Sequence, residues 1–131
     1  MIDKNIRNNF INIFPNQIKD EFLFSFDSYQ LFLERLSINP YRFLEDWTDF
    51  DRQKITERYW KLETKLDWKW SLSFPIFSLL ENIIDNFNTP KIIGISGLPG
   101  SGKSTLGEWI NKVARDLSID IKVISLDDFY L

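Results

Sequence analysis

Eight residues in the last third of the chain, 97–104, read Gly-Leu-Pro-Gly-Ser-Gly-Lys-Ser. They match the pattern G-x-x-x-x-G-K-[ST], which connects a β-strand to the N-terminus of an α-helix. Glycine suits such a loop because a residue without a Cβ atom adopts positive φ angles and lets a bound group approach the backbone closely. The pattern therefore restricts the surrounding fold to a strand, a tight loop and a helix.

The sequences on both sides of this loop agree with that restriction. Residues 91–96 follow Pro90 and are apolar and β-branched, which predicts a buried parallel strand. Residues 119–126 form a second β-branched run and predict another strand. Between them, apolar residues recur at helical spacing: Leu106, Trp109, Ile110, Val113, Ala114 and Leu117. We therefore expect a strand–loop–helix–strand unit.

A loop of this composition is suited to binding phosphate groups. Its backbone N–H groups point inward, and the helix N-terminus adds positive partial charge. The pattern predicts ATP and Mg²⁺ as ligands, with Lys103 on the β- and γ-phosphates and the Ser104 hydroxyl on Mg²⁺. The predicted cofactor-binding residues are Gly97, Leu98, Pro99, Gly100, Ser101, Gly102, Lys103, Ser104 and Thr105.

Two carboxylates, Asp127 and Asp128, follow the second predicted strand. Ligands of open parallel sheets gather at the carboxyl ends of the strands. One carboxylate there is suited to accept a proton from an acceptor hydroxyl, and the other to hold Mg²⁺ through water. Taken alone, an Asp-Asp pair also fits a solvent-exposed acidic turn, but the loop upstream favours the catalytic interpretation.

Residues 95–106 and the ending 125–131, Ser-Leu-Asp-Asp-Phe-Tyr-Leu, together resemble the phosphoribulokinase/uridine kinase group of P-loop kinases. Within that group the ending is most similar to D-glycerate 3-kinases. The resemblance implies transfer of the γ-phosphoryl group of ATP to a small-molecule hydroxyl. It implies D-glycerate as the acceptor, with uridine, pantothenate and ribulose phosphate as alternatives. It also implies Asp127 as the base. With the roles that the loop motif gives, Lys103 and Asp127 are the predicted catalytic residues, and Ser104 and Asp128 the predicted metal residues.

The same resemblance implies elements that residues 1–131 do not contain. In that group a Walker-B-type strand, a lid and an adenine pocket follow the Asp-Asp-Phe-Tyr segment, and a third strand separates the first two. We therefore expect an α/β fold, in which an N-terminal helical region precedes the first β–P-loop–α–β unit of a parallel P-loop NTPase sheet, truncated after that unit. The expected partners are a small-molecule acceptor and a complementing C-terminal half.

Residues 1–90 are predicted to form an aromatic-rich helical extension, and residues 91–131 a partial P-loop kinase domain. Apolar spacing predicts four helices in the extension. The first runs over about 17–37 and includes Ile18 and Phe22, and the second starts at Asn39 and Pro40. The third lies near 51–70 and includes Ile55, Tyr59, Leu62 and Leu66, and the fourth starts at Phe74. The second is expected to bury Phe43, Leu44, Trp47 and Phe50, and the fourth Phe77, Leu80, Ile84 and Phe87. Trp68 and Trp70 lie two residues apart and cannot share a helix face, so at least one is expected to be exposed or to pack on the P-loop unit.

Composition narrows the chemistry and the partners. The chain has no Cys and no His, so catalysis would rest on Asp, Lys and Mg²⁺. Its net charge is −3 and it has no basic stripe, which argues against a nucleic-acid partner. No apolar run approaches the ~20 residues of a membrane span, and residues 1–10 are too polar for a signal peptide. A cytoplasmic protein without a membrane partner is expected.

A second hypothesis comes from a different functional class. The chain is then a non-catalytic nucleotide-binding or helical interaction module, whose aromatic extension forms the binding surface. Binding of ATP that depends on Lys103, followed by transfer to an acceptor, distinguishes the kinase hypothesis from this one.

Overall fold

The structure, a computed structural model, describes residues 26–59, 68–98, 100 and 102–126. This part of the chain contains five α-helices and one π-helical turn. In chain order they are α1 (Phe26–Arg35), α2 (Pro40–Thr48), α3 (Phe50–Glu57), the π turn (Lys69–Ser73), which runs directly into α4 (Phe74–Asn86), and α5 (Lys103–Asp116). The predicted core positions Ile18, Phe22, Leu62 and Leu66, and the tryptophan Trp60, lie outside the described residues.

The helix starts follow from local capping chemistry. The Asn39 side-chain oxygen accepts hydrogen bonds from the backbone N–H groups of Tyr41 and Arg42 at 3.0 and 3.1 Å, and Pro40 occupies the first helical position. The predicted start of the second helix is therefore confirmed. Asp49 caps α3 in the same way, through Arg52.

Two serines in the left-handed region end helices α1 and α5. Ser37 has φ +59° and Ser118 has φ +56°. After Ser118, the Ile119 N–H donates to the Ala114 carbonyl at 2.8 Å, which is the six-to-one bond of a Schellman motif. The Ile38 N–H makes the equivalent bond at the end of α1, at 2.9 Å. Each motif turns the chain so that the next apolar residue packs against the core.

The core is a cluster of aromatic rings from several helices. Trp47 of α2 stacks on Phe74 of α4 with ring centroids 4.2 Å apart, and Phe77 meets the same indole edge-on. The Trp47 indole N–H donates to the Ser78 hydroxyl at 2.8 Å, so its buried polar atom is satisfied. Tyr29 of α1 is fully buried, and its hydroxyl donates to a backbone carbonyl of the π turn. Large rings of this kind bury about 150–250 Å² each and dominate the energetics of a small core.

Three of the predicted core residues lie at the surface instead. Phe50 is 67% exposed because Asp49 adopts an extended ψ of 129°, which ends α2 and starts α3 in a new direction. Ile84, near the end of α4, and Phe87, the residue directly after this helix, are 39% and 53% exposed. The apolar spacing of α4 therefore continues beyond the part of the helix that contacts the core.

The predicted parallel sheet is wrong: no strand occurs in the described residues. In the first predicted strand, Ile92, Ile93 and Ile95 are 101%, 46% and 48% exposed. In the second, the Ile121 N–H donates to the Ile119 carbonyl two residues back, at 2.9 Å, so the chain turns tightly where an extended strand was expected. A strand exists only by pairing with a neighbour, and an apolar β-branched run does not supply that neighbour.

Side chains from both sides of residue 90 share one core. Helix α5 buries Leu106, Trp109 and Val113 in the same cluster as Trp47 and Phe74 of the N-terminal helices. The helical character predicted for the extension is confirmed in the described part. The division into two domains at residue 90 stays a prediction.

Candidate phosphate-binding loop

The loop before α5 contains two glycines in the left-handed region. Gly100 has φ +81° and Gly102 has φ +93°, a conformation that costs other residues steric strain. A Cβ atom added at Gly100 would have no neighbour within 4 Å. Glycine is therefore required there by the backbone angle and not by lack of space.

Lys103, the first residue of α5, folds back over this loop. Its Nζ atom donates a hydrogen bond to the Gly97 carbonyl oxygen at 2.7 Å, which joins the two ends of the predicted motif. An ammonium group has three N–H donors, so this bond leaves capacity for phosphate oxygens. The side chain is exposed to solvent. The lysine that the motif assigns to phosphate therefore lies at the opening of the loop.

The N-terminus of α5 supplies backbone donors at the same place. The Leu106 N–H makes a helical bond to the Gly102 carbonyl at 2.9 Å, so the N–H groups of the three preceding residues belong to the first turn, where no helical acceptor exists. Ser104 and Thr105, which belong to that turn, are exposed. Backbone N–H groups, a lysine and a hydroxyl together form a donor set suited to a polyphosphate with its magnesium ion.

The other predicted site residues divide into two groups. Gly97 and Leu98 are exposed, and Leu98 is 80% exposed. The remaining four, Pro99, Ser101, Asp127 and Asp128, lie outside the described residues. The roles of the two aspartates as base and as metal residue therefore stay predictions.

The chain after α5 returns toward the loop. A Cβ atom added at Gly107, in the second turn of α5, would lie 3.1 Å from Cγ1 of Val123. Val123 is thus packed against the helix near its N-terminal end. Leu126, the last described residue, follows three positions later.

The buried face of helix α5 packs against the aromatic cluster. The Trp109 ring lies 5.8 Å from Phe77, 6.1 Å from Phe74 and 6.2 Å from Trp47, centroid to centroid. Trp109 is 3% exposed. The helix that presents Lys103 is therefore anchored on the N-terminal helices.

A polar contact holds the opposite end of α5. The Tyr59 hydroxyl donates a hydrogen bond to Oδ2 of Asp116, and the Arg58 guanidinium lies 3.7 Å from the same oxygen. The hydrogen bond from Tyr59 lowers the pKa of the Asp116 carboxyl. No sequence pattern predicts this contact, because its two residues are 57 positions apart.

The N-terminal helices also reach the loop itself, through Trp68. The Nε1 atom of this half-buried indole lies 3.9 Å from the position that a Cβ atom of Gly102 would occupy. Trp70, two residues later, is 5% exposed and packs against Phe43 and Phe74. Of the two tryptophans, Trp70 therefore lies in the core, whereas Trp68 is half-buried and lies beside the glycine-rich loop at Gly102.

Among the described helices, none combines the length and the apolarity needed to cross a bilayer. The described side chains also contain no group of three or more His, Cys, Asp or Glu residues arranged to hold a metal ion. No protein-family model matches this chain, and comparison with curated proteins and with solved structures finds no significant similarity.

Proposed function

We propose that residues 97–105 bind the phosphates of Mg·ATP and that the chain takes part in phosphoryl transfer to a small-molecule hydroxyl, with D-glycerate as the acceptor. The observation that carries this proposal is the hydrogen bond from Lys103 Nζ to the Gly97 carbonyl, across a loop with two left-handed glycines. It brings the lysine, the loop backbone and a helix N-terminus to one place. The choice of acceptor rests on the sequence resemblance alone.

The roles of the chain's own residues follow from their chemistry. The first-turn N–H groups and Lys103 stabilise negative charge on the β- and γ-phosphates, and the Ser104 hydroxyl helps to hold Mg²⁺. Bound Mg·ATP supplies the phosphoryl group. Asp127, with Asp128 assisting at the metal, is proposed to orient and deprotonate the acceptor hydroxyl. Val123, four residues before Asp127, lies close to Gly107 in the second turn of α5, which supports this placement.

Calorimetric titration of the 131-residue chain with Mg·ATP tests the binding step. We expect binding that is lost in Lys103→Ala and retained in Lys112→Ala. Lys112 is a matched control because it lies on the same helix, about 13 Å farther along its axis. Equal affinities for wild type and Lys103→Ala would refute the proposed phosphate site.

ATP turnover in the presence of D-glycerate tests the transfer step. Asp127→Asn is expected to reduce turnover by at least about 100-fold while ATP affinity stays within about twofold, since loss of a general base removes a factor of 10²–10⁴. Uridine, pantothenate and ribulose phosphate serve as competing acceptors in the same assay. Lys103-dependent binding without turnover of any acceptor would favour the non-catalytic nucleotide-binding alternative.

A further inference from the structure

Trp68 is the described side chain of the N-terminal helices that lies beside the phosphate-binding loop. Its Nε1 atom is 3.9 Å from the Cβ position of Gly102, an ordinary van der Waals separation. The indole therefore borders the space beside Gly102 and leaves room there for a single added Cβ atom. It is neither fully buried nor fully exposed.

The position of Trp68 is determined by its neighbours in the π turn. Ser73 donates from its hydroxyl to the Trp68 carbonyl at 3.5 Å, and Trp70 is inserted between Phe43 and Phe74. Residues two apart on a helical turn point in different directions, so burial of Trp70 directs Trp68 away from the centre of the core. Single π-helical turns of this kind are frequent at functional sites.

Gly102 is the loop residue whose conformation most directly affects the first turn of α5. Its left-handed backbone directs the first N–H groups of α5, and Lys103 follows it immediately. Glycine also has the greatest conformational freedom of any residue, so an unsupported Gly102 would lose the most entropy when a ligand orders the loop. An indole that borders the space beside this glycine limits the conformations open to it before ligand binds.

We infer that Trp68 is a positioning residue of the phosphate site: by packing beside Gly102, it holds the loop in the conformation that binds polyphosphate. This inference rests on the proposed function. It assigns the N-terminal helices a part in ligand affinity as well as in stability. The ligand class concerned is the polyphosphate group itself, because the contact lies at the loop and not at a base-binding surface.

Binding of magnesium tripolyphosphate, which has no nucleoside, is the direct test. We expect Trp68→Ala to weaken binding about tenfold through lost preorganisation, and Trp68→Phe to restore it to within about threefold of wild type, because a phenyl ring fills most of the same space. Leu72→Ala is the matched control, since Leu72 is a half-buried residue of the π turn that directly follows Trp68, and it packs on the core. The affinity of Leu72→Ala for magnesium tripolyphosphate should equal that of wild type.

Intrinsic fluorescence gives a readout that lost stability alone would not change. Tripolyphosphate should alter the emission of wild type and of Trp70→Phe, and should leave that of Trp68→Phe unchanged. Circular dichroism confirms that each variant is folded at the temperature used. If Trp68→Ala binds as tightly as wild type, or if Trp68→Phe keeps the full emission change, the inference is overturned while the proposed phosphate site stands. If wild type shows no Lys103-dependent binding, the proposed site fails and the inference fails with it.

Discussion

Trp109 of α5 lies against Trp47 of α2 with their ring centroids 6.2 Å apart, although the two residues are separated by most of the described chain. Trp47 in turn stacks on Phe74 of α4. The helix that follows the glycine-rich loop is therefore part of the same aromatic cluster as the N-terminal helices.

Trp109→Ala should destabilise the protein strongly. Truncating a buried tryptophan costs about 3–5 kcal/mol in free energy of unfolding, a large share of the stability of a small domain. Urea denaturation followed by circular dichroism measures the loss. Trp109→Phe, a milder change, gives a folded species if the alanine variant does not fold. A loss below about 1 kcal/mol for the alanine variant would show that the cluster does not anchor α5.

Gly102→Ala should be destabilised through its backbone angle. A non-glycine residue at φ +93° costs about 1–2 kcal/mol, while the added Cβ itself meets no clash. Gly94→Ala is the matched control, because Gly94 has neither a positive φ nor a neighbour within 4 Å of an added Cβ. Thermal melts of the two variants should differ by several degrees. Equal melting temperatures would contradict the left-handed conformation of Gly102.

Gly107→Ala should stabilise the protein. Alanine in a helix interior is favoured over glycine by about 1 kcal/mol. The added Cβ would lie 3.1 Å from Val123, but that side chain is 40% exposed on a non-helical segment and can move by a few tenths of an ångström. Adding Val123→Ala should then give little further gain. A destabilised Gly107→Ala that Val123→Ala rescues would show that this segment is rigid.

Arg52 and Glu81 should contribute measurably to stability, unlike the surface ion pairs. Their two hydrogen bonds, at 2.8 and 3.1 Å, join α3 to α4, and their side chains are only 15% and 17% exposed. A double-mutant cycle with Arg52→Ala and Glu81→Gln should give a coupling energy of about 1–2 kcal/mol. The exposed pair Lys112–Glu108 is the control, with an expected coupling of about 0.3–0.5 kcal/mol. Equal couplings would refute the distinction.

Asp46→Asn should increase stability at neutral pH. Burial raises the pKa of the Asp46 carboxyl, Glu81 adds to the rise, and Arg52 opposes it. Because the folded state then holds its proton at pH values where the unfolded state has lost it, wild-type stability falls as pH rises from about 4 through the folded pKa. Denaturation curves at several pH values should show equal stability of the two proteins near pH 3 and a growing advantage of Asp46→Asn above pH 4. A constant difference would contradict the shift.

The sequence predicted most reliably the features that neighbouring residues determine. Asn39 followed by Pro40 specifies a helix start, because the capping oxygen and the donors it accepts from lie within three positions. The apolar spacing from Leu106 to Leu117 identified α5. The two-residue spacing of Trp68 and Trp70 predicted that their side chains point in different directions. In each case the physical cause lies inside one helical turn or one helix face.

The features that the sequence did not predict depend on distant partners. The β-branched runs around the loop have strand-like composition, yet Ile92 is fully exposed and Ile121 follows a tight turn, because strands need a neighbour that local pattern does not reveal. Contact between Tyr59 and Asp116 likewise depends on how α5 packs. At the candidate site, the motif located the glycine-rich loop directly before α5, and it carried no information about the indole beside Gly102.

Helix α5 is about 21 Å long. A residue from the N-terminal part of the chain lies near each of its ends: Trp68 lies beside Gly102, and Tyr59 bonds to Asp116. An isolated helix of 14 residues is only marginally formed in water. The glycine-rich loop and its helix therefore do not form an independently stable unit. If the same eight-residue motif were grafted onto another protein without these two contacts, its sequence would be unchanged but its loop conformation would be lost.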